Sequence, residues 1–491
     1  MKTKLSNREI CLSVITFIAG YVVFLLIMIA MVAINLINNE QSIKTFIGNN
    51  VNNIVSVAVA TAVLVAVIYC YLFFENKTCL AKCSKTIELF LMMSIAFFIC
   101  NLVGKFISPT ARPLLFFALM TATFFRRKDA LFLNSVFILI MFIFNRHLNN
   151  LNVAGGSIEM TDSFASLLVT FSAGVIGICL LRKIKTRIAC VSVALVLFAP
   201  VLIINIIMLV STSDALEWAQ VGEVVMYSAL NCIFSVVLYM FLLPVFETLF
   251  SELTAFRLRE LTSDNAKLIK RLKANALGTY NHSIIVAQLA EACASEIGED
   301  AELARAAAYY HDVGKLKNPE MFAENQTEYD LHKELTPELS VDIIRSHTKD
   351  GAKLIRKNRL PEFFADVAVE HHGTLPIKYF YAKALKMSDG ELNSANYSYS
   401  GPTPSTKIAA IIMIADASEA ATRSLPDRSP EKVEALVRNL IEERMNLDQF
   451  VDCDITMREL TVITRTVVNR LTGVYHSRVQ YPKLVLSKNK K

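Results

Sequence analysis

Several things are scarce or absent in this sequence, and each absence removes a class of protein. Charged residues make up only 19% of the chain while 54% is hydrophobic, which excludes a soluble protein of ordinary composition. The formal net charge is a modest +6, and the basic residues lie largely in short loops between apolar runs, where they set membrane topology and imply no nucleic-acid polymer as partner. The ten cysteines form no disulfide framework. Cys11, Cys70, Cys100, Cys179, Cys190 and Cys232 sit in or against apolar runs, where cysteine behaves as a small hydrophobe. Cys79 and Cys83 make a C-x-x-x-C with no partner pair and read as structural, and Cys293 and Cys453 read as helix-buried thiols of a reducing compartment. No internal repeat, low-complexity tract or alternating strand pattern stands out. The longest loops between apolar runs, 37–50 and 147–163, are too short to fold around a core of their own, so no outer sensor domain is expected.

What is present divides the chain. Lys2, Lys4 and Arg8 precede an apolar run from Ile10 to Leu36, far longer than a signal-peptide core and so read as a retained span. Further spans are expected at 51–74, 86–104, 113–125, 130–146, 164–181, 188–210 and 224–246, about eight in all, of which 113–125 is short for the roughly 20 residues a crossing needs. Loop charge supports an even count. With the N-terminus inside, inner loops hold Lys77, Lys82 and Lys85, then Arg126, Arg127 and Lys128, then Arg182, Lys183, Lys185 and Arg187. Outer loops hold Lys44, then Lys105 and Arg112, then Arg146, and last the acids Asp214, Glu217 and Glu223 beside Trp218. This asymmetry returns the polar half to the cytoplasm. His147 reads as a solvated loop residue and Glu247 as an interfacial acid.

The expected organisation is all-α: a polytopic membrane domain over 1–250, a juxtamembrane linker helix over 251–275, a helical soluble domain over 276–480 and a basic tail over 481–491. In the linker Leu253, Phe256, Leu261, Leu268 and Leu272 recur at near-helical spacing. The soluble half reads as helices broken at Gly278, Gly314, Gly351, Pro361, Gly373 and the Gly401-Pro402 turn. Within it, 377–404 is rich in Tyr and Ser and reads equally as a lid or as a flexible insertion.

The chemistry concentrates in Tyr309-Tyr310-His311-Asp312-Val313-Gly314-Lys315, accompanied by His282, His347, His371, His372 and Asp416. Any one of these histidines alone is more often a core or surface residue; five of the chain's eight histidines in one segment is a poor fit to that explanation. Asp416 follows Ile411-Ile412-Met413-Ile414, which carries it toward the core, where an unpaired carboxylate is costly and a cation would satisfy it. Two divalent ions about 3.5–4 Å apart can hold a phosphoryl oxygen and activate water, and they need a shared carboxylate. Asp312 suits the bridge, with His311 on one side, while adjacent His371 and His372 leave a helix in different directions. Imidazoles and carboxylates without thiolate favour two transition metal ions, Mn or Fe before Zn. His332 reads as surface and His476 as structural.

These motifs, with Gly278-Thr279-Tyr280-Asn281-His282-Ser283, Glu324-Asn325-Gln326, Ser346-His347-Thr348-Lys349-Asp350-Gly351, His371-His372-Gly373-Thr374, Glu419-Ala420-Ala421 and Tyr475-His476-Ser477-Arg478, resemble the HD-domain phosphohydrolases, and more closely the bacterial seven-transmembrane HD proteins that hydrolyse cyclic di-AMP. The resemblance implies that His282, His311, Asp312 and Asp416 bind one metal and that Asp312 bridges to a second held by His347, His371 and His372. It also implies hydrolysis of cyclic di-AMP to linear pApA at the bacterial cell membrane, with Lys315 and Asp312 in catalytic roles, Lys315 neutralising phosphate charge. The implied partners are a cyclic dinucleotide and membrane lipid, with a homodimer left open. The family's extracellular domain is missing after the first span. Leu277 and Asn281 depart from the family pattern without removing a ligand, whereas Ser398 and Ser400 replace an Arg and a Pro and put contacts near the Gly-Pro turn in question. Two alternatives remain: a phosphohydrolase for another nucleotide, such as cyclic di-GMP or an alarmone, and a receptor that binds nucleotide without turnover.

Overall fold

The computed structural model describes residues 6–38, 43–149, 160–181, 184, 186–212, 217–326, 329–388 and 392–474. Lys2, Lys4, Arg182, Lys183, Lys185, Asp214, the Tyr475–Arg478 motif with His476, and the 481–491 tail lie outside them, as does the side chain of Lys44. The described residues form helices and turns; the one β feature among them is an isolated bridge between Pro376 and Ser398. All ten cysteines are free. The chain divides into two compact units, Met1–Phe256 and Arg257–Lys491.

The first unit comprises α1 (Asn7–Asn38), α2 (Ile43–Glu75), the short α3 (Lys77–Ala81), α4 (Cys83–Phe106), α5 (Leu115–Phe124), α6 (Arg127–Phe144), α7 (Met160–Leu181), α8 (Val191–Thr212) and α9 (Trp218–Leu249). Seven helices among the described residues are long and apolar enough to cross a membrane, one fewer than the eight expected. The missing one is 113–125. Its helix α5 has 10 residues, about 15 Å of rise against roughly 30 Å of hydrocarbon, because Pro109 and Pro113 confine the preceding stretch to a single turn of 3-10 helix.

The segment nevertheless returns the chain. Lys105 Nζ reaches Ile34 O at 2.9 Å, placing the end of α4 beside the end of α1. Midway, Leu115 N donates to Ser235 Oγ at 3.3 Å in the middle of α9. At the other end Lys85 Nζ donates to Phe124 O at 3.2 Å, Arg126 Nη2 to Glu75 O at 2.8 Å and Asn76 Nδ2 to Asp129 at 2.6 Å. The C-termini of α2 and α5 and the N-termini of α4 and α6 thus share one face, which also receives Glu252, 2.9 Å from Lys85. Ser13 near the start of α1 meets Tyr69 near the end of α2, so α1 begins at that face too. The short segment thus runs back to the face where α4 began, beside the seven long apolar helices among the described residues. Glu247, expected at an interface, is buried and paired with Arg187 at 2.6 Å.

The second unit contains α10 (Ala255–Leu261), α11 (Lys267–Asn275), α12 (Leu277–Ile297), α13 (Ala301–Tyr310), α14 (Pro337–Lys357), α15 (Glu362–Glu370), α16 (Lys378–Met387), α17 (Lys407–Ser424), α18 (Pro430–Asn446) and α19 (Met457–Val474). The linker is two helices instead of one. Asp264 in the turn between them accepts from Lys273 at 2.8 Å and from Tyr280 at 2.9 Å, and Leu268, Ile269 and Leu272 are buried. Gly351 breaks nothing, lying inside α14, whereas Gly278 sits at the start of α12 just past the break at Ala276, where a Cβ would stand 1.9 Å from Glu324 O. Residues 377–404 also depart from the lid reading, since Phe380, Ala384 and Tyr397 form a small core with Val341 of α14. The central element is α17, whose Ile408–Asp416 run is buried throughout, with α12, α13 and α19 packed around it.

Candidate metal centre

Seven backbone positions on five helices aim the expected side chains at one point. His282 comes from the first turns of α12, His311 and Asp312 from the end of α13, His347 from α14, His371 and His372 from the end of α15, and Asp416 from α17. The turn after Asp312 must let α14 come close. A Cβ at Gly314 would lie 1.8 Å from His347 O and 2.5 Å from Gly351 N, so only glycine allows His347 to face Asp312.

Asp312 stands between two groups. Its Oδ2 is 3.3 Å from His311 Nε2 and 3.8 Å from His282 Nε2, while its Oδ1 is 3.3 Å from His347 Nε2 and 3.7 Å from His371 Nε2. Asp416 joins the first group through Oδ1, 2.9 Å from His282 Nε2 and 4.0 Å from His311 Nε2; its Oδ2 is 3.8 Å from His372 Nδ1. Donor atoms of His282, His311 and Asp416 lie within 4.8 Å of one another, as do those of His347, His371 and His372, and those of His311, Asp312 and His371. The structure brings all seven expected side chains together. His332 belongs elsewhere: read as surface, it is buried, with its ring against Phe380 and Nε2 2.7 Å from Met321 O.

The imidazoles are oriented from behind. His311, His347 and His371 each donate from Nδ1 to the carbonyl three residues earlier, at 2.6, 2.5 and 3.0 Å, which leaves Nε2 as a lone-pair donor turned inward. His282 has no such carbonyl; Glu419 Oε2 holds its Nδ1 at 2.6 Å. This fully buried acid was quoted in the sequence only as part of a motif, yet its spacing from Asp416 along α17 puts both on one helical face.

A cation fits this set. His311 Nε2 and Asp312 Oδ1 are buried without a hydrogen bond, and His347 and His371 turn Nε2 atoms toward each other at 3.3 Å. Burial alone would raise Asp312, but the Lys315 ammonium beside it and the flanking His311 and His347 imidazoles hold it well below the usual carboxylate range. Burial likewise opposes the charge on Asp416, and its bond to His282 outweighs it. Burial, then the neighbouring imidazoles, drives His371 well down, and burial takes His372 to about 3. Both are neutral and available as ligands. His282 moves the other way: burial disfavours its charge, but hydrogen bonds to Asp416 and Glu419 lift it to about 10.

Lys315 lies 2.7 Å from Asp312 Oδ2 and 2.7 Å from Glu324 Oε1. Burial opposes its charge, yet Asp312, Glu324 and Asp416 keep it protonated. Glu324 is itself held by Thr279 Oγ1 at 3.0 Å, which explains why the Gly278-Thr279 and Glu324-Asn325 motifs occur together. Ser398 turns away, donating to Ser394 O at 2.9 Å within its own loop.

Residues 279–421 match the model of the HD domain, and residues 51–254 match that of the 7TM receptor with intracellular HD hydrolase. The chain is 39% identical over 311 residues to the Cyclic-di-AMP phosphodiesterase PgpH of Bacillus subtilis, an alignment covering 63% of this chain and 44% of that one. It is 46% identical over 241 residues to the protein of the same name from Listeria monocytogenes, covering 49% of this chain and 33% of that one. The chain therefore spans less than half the length of these relatives. A crystal structure of the Listeria monocytogenes PgpH HD domain in complex with cyclic-di-AMP is 46% identical and aligns over 44% of this chain and 99% of its own, with a TM-score of 0.42.

Proposed function

We propose that the chain, which matches the models of the HD domain and of the 7TM receptor with intracellular HD hydrolase, is a membrane-bound, metal-dependent phosphodiesterase that hydrolyses cyclic di-AMP to linear pApA and so lowers the level of the second messenger. One observation carries the reading: a buried carboxylate, Asp312, presents a separate oxygen to each of two imidazole groups. His282, His311 and Asp416 would hold one ion and His347, His371 and His372 the other, with Asp312 shared. Nitrogen and oxygen donors without thiolate suit Mn or Fe. Bound there, such ions neutralise phosphoryl oxygens and lower the pKa of water.

The chain's own groups do the rest. Lys315 places a fixed positive charge beside Asp312, offsetting the acids that would otherwise repel a phosphodiester, and Glu324 keeps its ammonium at that spot. Glu419 sets the ring plane of His282. The cyclic-di-AMP phosphodiesterase relatives support the choice of substrate. Lys77, Lys82, Lys85, Arg126, Arg127, Lys128 and Arg187 gather at the face of the first unit from which Glu252 leaves, which supports a cytoplasmic position for the HD unit.

The substrate assignment is tested by incubating the detergent-purified full-length protein, loaded with Mn, with cyclic di-AMP and cyclic di-GMP and separating products by chromatography. Release of pApA from cyclic di-AMP, with cyclic di-GMP cut slowly or not at all, is the expected result. Turnover of cyclic di-GMP alone would contradict the substrate, and cleavage of neither would contradict the activity.

A further inference from the structure

Tyr399 has no role in the site as described so far, and its hydroxyl differs from those around it. Tyr280 donates to Asp264, Tyr310 to Leu261 O, Tyr329 to Glu334 and Tyr397 to Glu338. Tyr399 OH has no protein partner among the described residues, although the residue is only half-exposed. Its backbone is pinned where Tyr399 N donates to Leu375 O at 3.0 Å, next to the bridge between Pro376 and Ser398. Its ring stacks on His372 with 4.2 Å between centroids and 22° between planes, and meets His347 edge-on at 6.1 Å. The charges of Lys315, Asp416, Asp312 and Glu324 all bear on its phenol. A hydroxyl held this firmly and left unpaired beside a cation-holding site is a donor awaiting an acceptor.

The acceptor must suit the whole setting. An ammonium at Lys315, a neutral phenol and a cluster built for cations together favour an anion with several acceptor-only oxygens, which describes a phosphate better than a base or a sugar. We propose that Tyr399 is a catalytic residue whose hydroxyl donates a hydrogen bond to a non-bridging oxygen of the phosphodiester under attack, while its ring fixes the plane of His372. The contact is to phosphate, so it is independent of which base the substrate carries, but it rests on the phosphodiesterase reading above.

Tyr399→Phe keeps the stacked ring and removes only the hydroxyl. Full-length protein loaded with Mn would be compared with this variant by metal analysis, by calorimetric titration with inorganic phosphate, and by hydrolysis of cyclic di-AMP and of bis(4-nitrophenyl) phosphate. The expected result is unchanged metal content, about tenfold weaker phosphate binding and about tenfold lower kcat/KM on both diesters. Wild-type phosphate affinity in the variant overturns the proposal, and so does a wild-type protein that binds no phosphate. Loss of metal in the variant also overturns it, since the hydroxyl would then serve the His372 site and not the substrate. If phosphate binding falls as expected but neither diester is cut by the wild type, the hydroxyl contact stands and the phosphodiesterase reading fails.

Discussion

Glu419 shows how much a single residue behind the ligands is expected to matter. It holds His282 Nδ1 at 2.6 Å, so Glu419→Gln, which keeps the shape and loses the charge, should weaken metal affinity about 10- to 100-fold with helical content unchanged; unaltered affinity would remove Glu419 from the site. His282 itself predicts a pH effect. Its folded value of about 10 lies above the ordinary 6.5, so in the metal-free protein the pairing with Asp416 and Glu419 stabilises fully below the ordinary value and fades as pH rises through about 10. A cation must displace that proton, so metal uptake near neutral pH should release about one proton at this position and tighten as pH rises. Calorimetry in buffers of different ionisation enthalpy measures the release, and none would contradict the assignment of His282. The ligand types were legible in the sequence because few other arrangements explain so many imidazoles and buried acids in one segment. Tyr399 was not: it arrives from a loop, and its stacking on His372 follows from no periodicity. His332 was misread because its flanking Asp330 and Lys333 suggest surface, while the carbonyl of Met321 and the ring of Phe380 claim its imidazole.

At the scale of elements, the close approach of α14 to the turn after α13 is a point of failure that can be tested. Gly314→Ala would force a methyl into His347 O, costing about 1–3 kcal/mol and moving His347 away from Asp312. Thermal unfolding and metal titration should show lower stability together with loss of one of two ions; full loading would mean that the turn yields more easily than the 1.8 Å approach indicates. Long apolar runs and amphipathic helices were readable from composition and period, since burial in lipid or core selects for them directly. The short α5 was readable only in part. Its apolar run predicts a crossing, but its prolines shorten the helix, and what lets it return is its packing against α4, α7 and α9. The Tyr and Ser content of 377–404 reads equally as a lid or as a flexible insertion, and gives no hint that Tyr397 and Phe380 pack against Val341.

For the whole molecule, we predict an even number of crossings, seven long helices and the returning 113–125 segment, and therefore an N-terminus and an HD domain on the same side of the membrane. Reporter fusions at the two positions should both signal cytoplasm, whereas a count of seven would separate them. The two-unit organisation was visible as a change from apolar runs to mixed charge, but the way the linker folds into α10 and α11 depends on Asp264, whose partners Lys273 and Tyr280 no local pattern identifies. Joining these scales is the claim that a membrane-tethered pair of metal ions, shared by Asp312, cleaves a cyclic dinucleotide. The most direct measurement is hydrolysis of cyclic di-AMP by full-length protein stripped with chelator and then titrated with Mn, alongside Asp312→Ala. Activity that disappears on stripping, returns as two ions bind per chain and stays at least about a thousandfold lower in Asp312→Ala is the predicted result. Turnover that survives chelation, or that persists in Asp312→Ala, would contradict it.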